Sequence, residues 1–356
     1  MPDFSFLRER KLLFVLAGIL VFLLTLLGGR MFFEYLAEKN PPDENDLAKR
    51  SIEDLVQMPI IDNEVLPADQ KISPLTGLEI NPGSGVRPID VMIENLPASR
   101  PQMRGLDEAT IVIEALAEGG ITRYLAIFDV SENKKVGPVR SARPYFVDWA
   151  EEFGGAFVHA GGSEDALAKL AKSKLHNFDE DGKIVYRDFQ YLKPHNLFVN
   201  LGLVRAEKFT NEPIKSWFDF AGEIPGNAAA IKQFSLDFSL PEYLVDYVYD
   251  ATIGKYKRLL GGSEQRAGTN PLQPTNIIVQ FTEYFPIDES GRLQLKTSGE
   301  GAAWFFSEGK MWRGVWRKIG NRTKFFDSAG SSVSLNPGQT FIEVLDSAKR
   351  VSLPQQ

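Results

Sequence analysis

"RPYFVDWAEEFGGAFVHAGGSEDALAKL", Arg143 to Leu170, changes its periodicity twice. Phe146, Trp149, Ala150 and Phe153 fall at i, i+3, i+4 and i+7, one face of an α-helix, and Pro144 suits the first turn. "AFVHA" then reads as a short strand after a Gly-Gly turn. Ser163 caps a second helix, whose first turn carries Glu164 and Asp165 at the positive end of the helix dipole. Upstream, "DVMIEN" (90–95), "TIVIEAL" (110–116) and "TRYLAIFDV" (122–130) are β-branched and aromatic-rich runs bounded by Gly, Pro and Asn. Strands alternating with helices predict an α/β or α+β first domain with a mixed sheet, over residues 71–225.

Beyond "AGEIPGNAAA" (221–230) the texture changes. "YLVDYVYD", "KYKRLL", "TNIIVQFTEYF", "RLQLKT", "AAWFFSEGKMWRGVWRK" and "TFIEVL" are short runs separated by turn residues, and "FSEGKMW" reads as a hairpin. They predict a second, mostly antiparallel β domain over 226–350, a barrel or sandwich. Trp304, Trp312 and Trp316, with Phe305, Phe306, Phe325 and Phe326, fit the core of such a domain better than a platform for sugar or peptide.

With 356 residues, 43% of them hydrophobic, the chain can bury two cores of ordinary size. A formal charge of −7 argues against a nucleic-acid partner, which would need a basic surface. The absence of cysteine excludes disulfides, thiolate zinc sites and thiol nucleophiles. "LLFVLAGILVFLLTLLGG" (12–29) is 18 uncharged residues, extended by "MFF" after Arg30, which is long enough to span a bilayer as a helix. Arg8, Arg10 and Lys11 precede it and no A-x-A-like cleavage site follows. This predicts a cytoplasmic N-terminus (1–11), one transmembrane helix (12–33) and a polar tether (34–70). The protein would then be single-pass in the cell membrane, with both domains extracytoplasmic.

The residues with chemistry lie in the first domain. Arg100, Arg104, Arg123, Arg140 and Arg143 are close in sequence within an acidic chain, and a guanidinium is a planar fork suited to carboxylate or phosphate. Gly137, Pro138 and Pro144 hold "RSAR", including Ser141, in a defined turn. "FVHAGGSEDAL" is a strand, a turn at Gly161 and Gly162, and a helix start, so its backbone N–H groups and His159 are candidate ligands for an anion. "YRDFQYLKPHNLF" adds Arg187, His195 and Asn196, with Asp188 placed to orient His195. The plainer alternative pairs each arginine with a carboxylate such as Glu94, Glu114, Glu118 or Asp188, and leaves His159 a satisfied structural histidine. Neither Ser141 nor Ser163 sits in G-x-S-x-G, and His159, His176 and His195 have no metal-ligand spacing, so neither a metal nor a cofactor is expected.

The motifs "EGGITRYLAIF", "GPVRSARPY", "VHAGG" and "PHN", with "NIIVQF" and "LNPGQTFIEV" further on, resemble the YerB-like family of bacterial lipoproteins over about residues 72–347. The resemblance implies an envelope-facing bacterial protein of two domains without an established activity. Positions matching its motifs are Glu118, Arg123, Arg140, Ser141, Arg143, His159, Gly161, Gly162, Arg187, His195 and Asn196. The chain departs from it in lacking a lipobox cysteine, for which the apolar helix would substitute. Three readings stay open: a module binding a protein partner or an anionic cell-wall ligand through an Arg/His cleft, a phosphotransferase or hydrolase acting on a phosphate-bearing envelope ligand, or a purely structural scaffold. Arg140, Arg143 and His159 are expected to converge on one cleft of the first domain, joined by Arg123 or His195.

Overall fold

Every residue of the strands β1 (Ile89–Glu94), β2 (Ile111–Leu116) and β3 (Thr122–Phe128) is buried, so the sheet they form is covered on both faces. A computed structural model describes residues 72–80, 88–129, 134–207, 218–289 and 291–354; the expected cytoplasmic segment, anchor and tether lie outside these. On one face Met92, Leu125 and Ile127 pack against α1 (Pro144–Phe153), which buries Phe146, Trp149 and Phe153 as its periodicity predicts. Phe146 and Trp149 meet edge to face at 5.4 Å, and α2 (Glu164–Leu170) is capped by the Ser163 hydroxyl accepting from the Ala166 N–H. On the other face Val91, Val112 and Ala126 meet a three-stranded sheet of Lys135–Val136, Val185–Arg187 and Leu197–Asn200, followed by α3 (Leu201–Ala206).

The same sheet continues into the second half. Its further strands are β4 (Ala156–Val158), β5 (His176–Phe178), β6 (Ala229–Ala230), β7 (Asn276–Phe281), β8 (Glu300–Ser307), β9 (Lys310–Ile319), β10 (Arg322–Asp327) and β11 (Thr340–Leu345). Together they form one eleven-stranded mixed sheet in the order β10-β9-β8-β7-β11-β2-β3-β1-β4-β5, with β6 beside β9. The join is β11, parallel to both neighbours: Thr340 lies opposite Asn276 of β7 and Ile111 of β2. A five-stranded sheet built on Gln233–Asp237, Leu244–Asp250 and Lys255–Leu260 covers Ile277, Val279 and Phe306. Trp304, Trp312 and Trp316 are core residues.

The expected fold class is thereby corrected. The architecture is mostly β, with one mixed sheet running through both halves, rather than an α/β domain followed by an antiparallel one. Alternating strands and helices reveal local elements, but the partner of β2 comes from the far end of the chain, and no local pattern points to it. The transmembrane part of that expectation is corrected as well: no helix among the described residues is long and apolar enough to cross a membrane, and residues 12–33 lie outside them.

Candidate functional site

Glu94 closes β1 and faces Arg123 of β3 in antiparallel register, so both side chains leave the same face of the sheet. Arg143 is the extended residue just before α1. Because Phe146 and Trp149 fix that helix on the sheet, Arg143 is held at the rim. Its Nε donates to Glu118 Oε2 at 2.9 Å and its Nη2 to Oε1, while Arg123 Nη2 reaches the same Oε1 at 2.6 Å and Arg123 Nη1 donates to the Ser141 carbonyl at 3.0 Å. Burial alone would raise the Glu118 carboxyl, but the Arg143 hydrogen bonds and the Arg123 charge hold it at about 2. Glu94 carries a second knot: Arg140 Nη2 lies 2.6 Å from Oε1, and His195 Nδ1 donates to Oε2 at 2.8 Å. The Glu94 side chain is 2% exposed, against 28% for Arg140 and 15% for His195. Three guanidiniums and a histidine thus share two carboxylates, one guanidinium more than the carboxylates can match.

The other predicted residues are placed differently. His159 is fully buried, with Nδ1 at 2.7 Å from the Gly161 carbonyl and Nε2 at 2.5 Å from Asn177 Oδ1. The Gly161 N–H donates to Asp179, and Gly162 lies beside Ala142, so the Gly-Gly turn locks the "RSAR" segment in place. Arg187 is bidentate to Glu180 and donates to the buried Asn196. Asp188 pairs with Lys135, so the carboxylate that orients His195 is Glu94. Arg100 turns onto Asn95 and the Tyr243 ring, and Arg104 lines a separate groove. No group of three or more His, Asp or Glu among the described residues is arranged to hold a metal ion.

A second polar cluster was missed by sequence reasoning. Arg258, Glu114 and Glu343 are all 0% exposed. Glu114 and Glu343 are register partners across β2 and β11, and Arg258 Nη2 donates to Glu114 while its Nε donates to the Tyr247 hydroxyl at 2.9 Å. Tyr247 in turn donates to Glu343. Burial, and then the Glu114 carboxylate, push Glu343 up to about 8 despite Arg258, so it is a neutral acid near pH 7. The available signal was alternation: in "KYKRLL" Tyr256, Arg258 and Leu260 share the inner face, an arginine at an apolar position. Asn95 links this cluster to the rim, donating to Glu114 at 3.1 Å and accepting from Arg100 at 3.2 Å.

The chain matches two family models: "Protein of unknown function (DUF3048) N-terminal domain" over residues 75–214 and its C-terminal domain over 234–342. It is 32% identical over 293 residues to "Putative lipoprotein YerB" of Bacillus subtilis (strain 168), covering 79% of this chain and 88% of that one. The crystal structure of YerB from Bacillus subtilis superposes with a TM-score of 0.71 at 29% identity, covering 80% of this chain and all of that one. The relative is named as a lipoprotein, a class held by lipid, and the described residues hold no spanning helix; the single-pass localisation expected above is withdrawn on these findings. The protein belongs to the DUF3048 family of unknown function, the family of YerB.

Proposed function

We propose that the protein is an envelope-associated binding module that holds an anionic cell-wall ligand, or an acidic segment of a partner protein, at the Glu94–Glu118 cluster. The carrying observation is the excess of cations at the rim: Arg123, Arg140 and Arg143 over two carboxylates, with Arg140 more than a quarter exposed. Rigid strands and the first turn of α1 preorganise these guanidiniums, which lowers the ordering cost of binding. The relative named as a lipoprotein supports the envelope setting. Calorimetric titration of the full chain with inorganic pyrophosphate should give binding that Arg140→Ala and Arg143→Ala each weaken roughly tenfold or more, the loss of one charge-assisted hydrogen bond. Equal affinities in all three proteins would refute the reading.

The Glu94–His195 hydrogen bond favours a second reading, a phosphotransferase or hydrolase with His195 as an oriented acid or base. That reading requires turnover of 4-nitrophenyl phosphate that is lost in His195→Ala; no turnover by the unsubstituted chain would exclude a phosphatase of this kind.

A further inference from the structure

A separate concavity of about 630 Å³ lies where the halves meet, between Arg104–Glu108 and Lys134–Lys135 on one side and Ala267–Asn270 on the other. Its walls are set by the backbone. The Gly268 N–H donates to the Met103 carbonyl at 2.8 Å, and Arg104 and Gly137 exchange backbone hydrogen bonds at 2.9 and 3.1 Å. Gly105 turns the chain at φ 79°, where an added Cβ would come within 2.7 Å of Val136 Cγ2, so a side chain there would be both strained and crowded.

Most of the charge around this groove is already matched. Lys134 pairs with Glu108, and Lys135 pairs with Asp188 while lying 4.4 Å from the Tyr191 ring. Arg104 differs: its Nη1 donates only to the Pro101 and Met103 carbonyls, at 3.2 and 2.6 Å, and its guanidinium lies over Tyr191 at 5.3 Å. It meets no carboxylate among the described residues. Asp107, in the same groove, forms no ion pair among the described residues and accepts from Asn270 Nδ2 at 2.8 Å. An uncompensated guanidinium and a carboxylate held by an amide therefore line one small polar space.

We infer that this groove is a second binding site, for a sugar whose single anionic group, a carboxylate or a phosphate, meets Arg104 and whose hydroxyls meet Asp107 and Asn270. The volume is that of a small-molecule pocket, for which the usual range is roughly 300–1,000 Å³. The polar walls offer an apolar ligand little, since they would lose hydration without new partners. A polyanion is disfavoured because a second negative group would meet Asp107 and Glu108. The site is independent of the Glu94–Glu118 cluster, and the variants keep the two apart.

The test is calorimetric titration of the full chain with glucuronate, glucose 6-phosphate and glucose. Both anionic sugars should bind at least tenfold more tightly than glucose. Arg104→Gln should lose at least tenfold in affinity for both, Arg104→Lys should retain part of it, and Arg140→Ala should bind glucuronate as the unsubstituted chain does. Far-UV circular dichroism identifies any variant that has failed to fold, and Asp107→Ala, which removes the acceptor without touching Arg104, should also weaken glucuronate. The inference is overturned if no anionic sugar binds, if glucose binds equally well, or if glucuronate binding survives in folded Arg104→Gln. Loss in Arg140→Ala with retention in Arg104→Gln would overturn it too, by moving the sugar to the other cluster.

Discussion

Glu343 and Glu94 are both buried glutamates beside arginines, yet their environments differ. Glu94 is reached by Arg140 and His195 from a rim open to water, whereas Glu343 shares Arg258 with a second carboxylate in a site closed on every side. Burial, and then the Glu114 carboxylate that shares its one guanidinium, keep the proton on Glu343 up to about 8 against an ordinary value of 4.5. The consequence for stability has a definite sign. Between those values the folded chain holds a proton that the unfolded chain has released, so this group's contribution is full below about pH 4.5 and is lost as pH rises through 8. Urea unfolding should show that decline over pH 5 to 8, and Glu343→Gln should flatten it. An unchanged slope in the variant would show that Glu343 is not the titrating group.

At the scale of elements, what could be read in advance depended on whether the cause was local. The α1 boundaries follow from Pro144 and the aromatic spacing, and the start of α2 from Ser163, because caps and amphipathic faces act within a few residues. "TFIEVL" was legible as a strand but its position was not, since its pairing with β2 and β7 depends on side chains far away in sequence. The same limit explains the site. The sequence marked Arg123, Arg140, Arg143 and His195, which do cluster, and it named the carboxylates as candidates. It could not tell that His159 turns inward to Asn177 or that Glu94, rather than Asp188, holds His195. Position β11 also yields a prediction. Truncation after Asn336 removes the strand that joins the halves and exposes the edges of β2 and β7, so that chain should lose its far-UV β signal and be cleared by limited proteolysis. A truncated chain as protease-resistant as the whole would mean that the halves fold without β11.

For the whole molecule, the formal charge of −7 sets a background against which a cationic rim stands out. A cationic cluster of this kind has two uses, holding the fold or holding an anion, and they differ in what a lost arginine does. When Arg143 is removed, Glu118 keeps Arg123 and contact with water, so no carboxylate is stranded and stability should fall by less than the roughly 3–5 kcal/mol lost when a fully buried pair is broken. An anion bound only by the folded chain raises its stability with concentration. The decisive measurement is the thermal midpoint of the full chain and of Arg143→Ala, each with and without millimolar inorganic pyrophosphate. The account predicts at most a small fall in the Arg143→Ala midpoint without ligand, and a pyrophosphate-dependent rise that Arg143→Ala largely loses. A large drop in the midpoint of Arg143→Ala, with no response to pyrophosphate in either protein, would contradict it and make the arginines structural ion pairs.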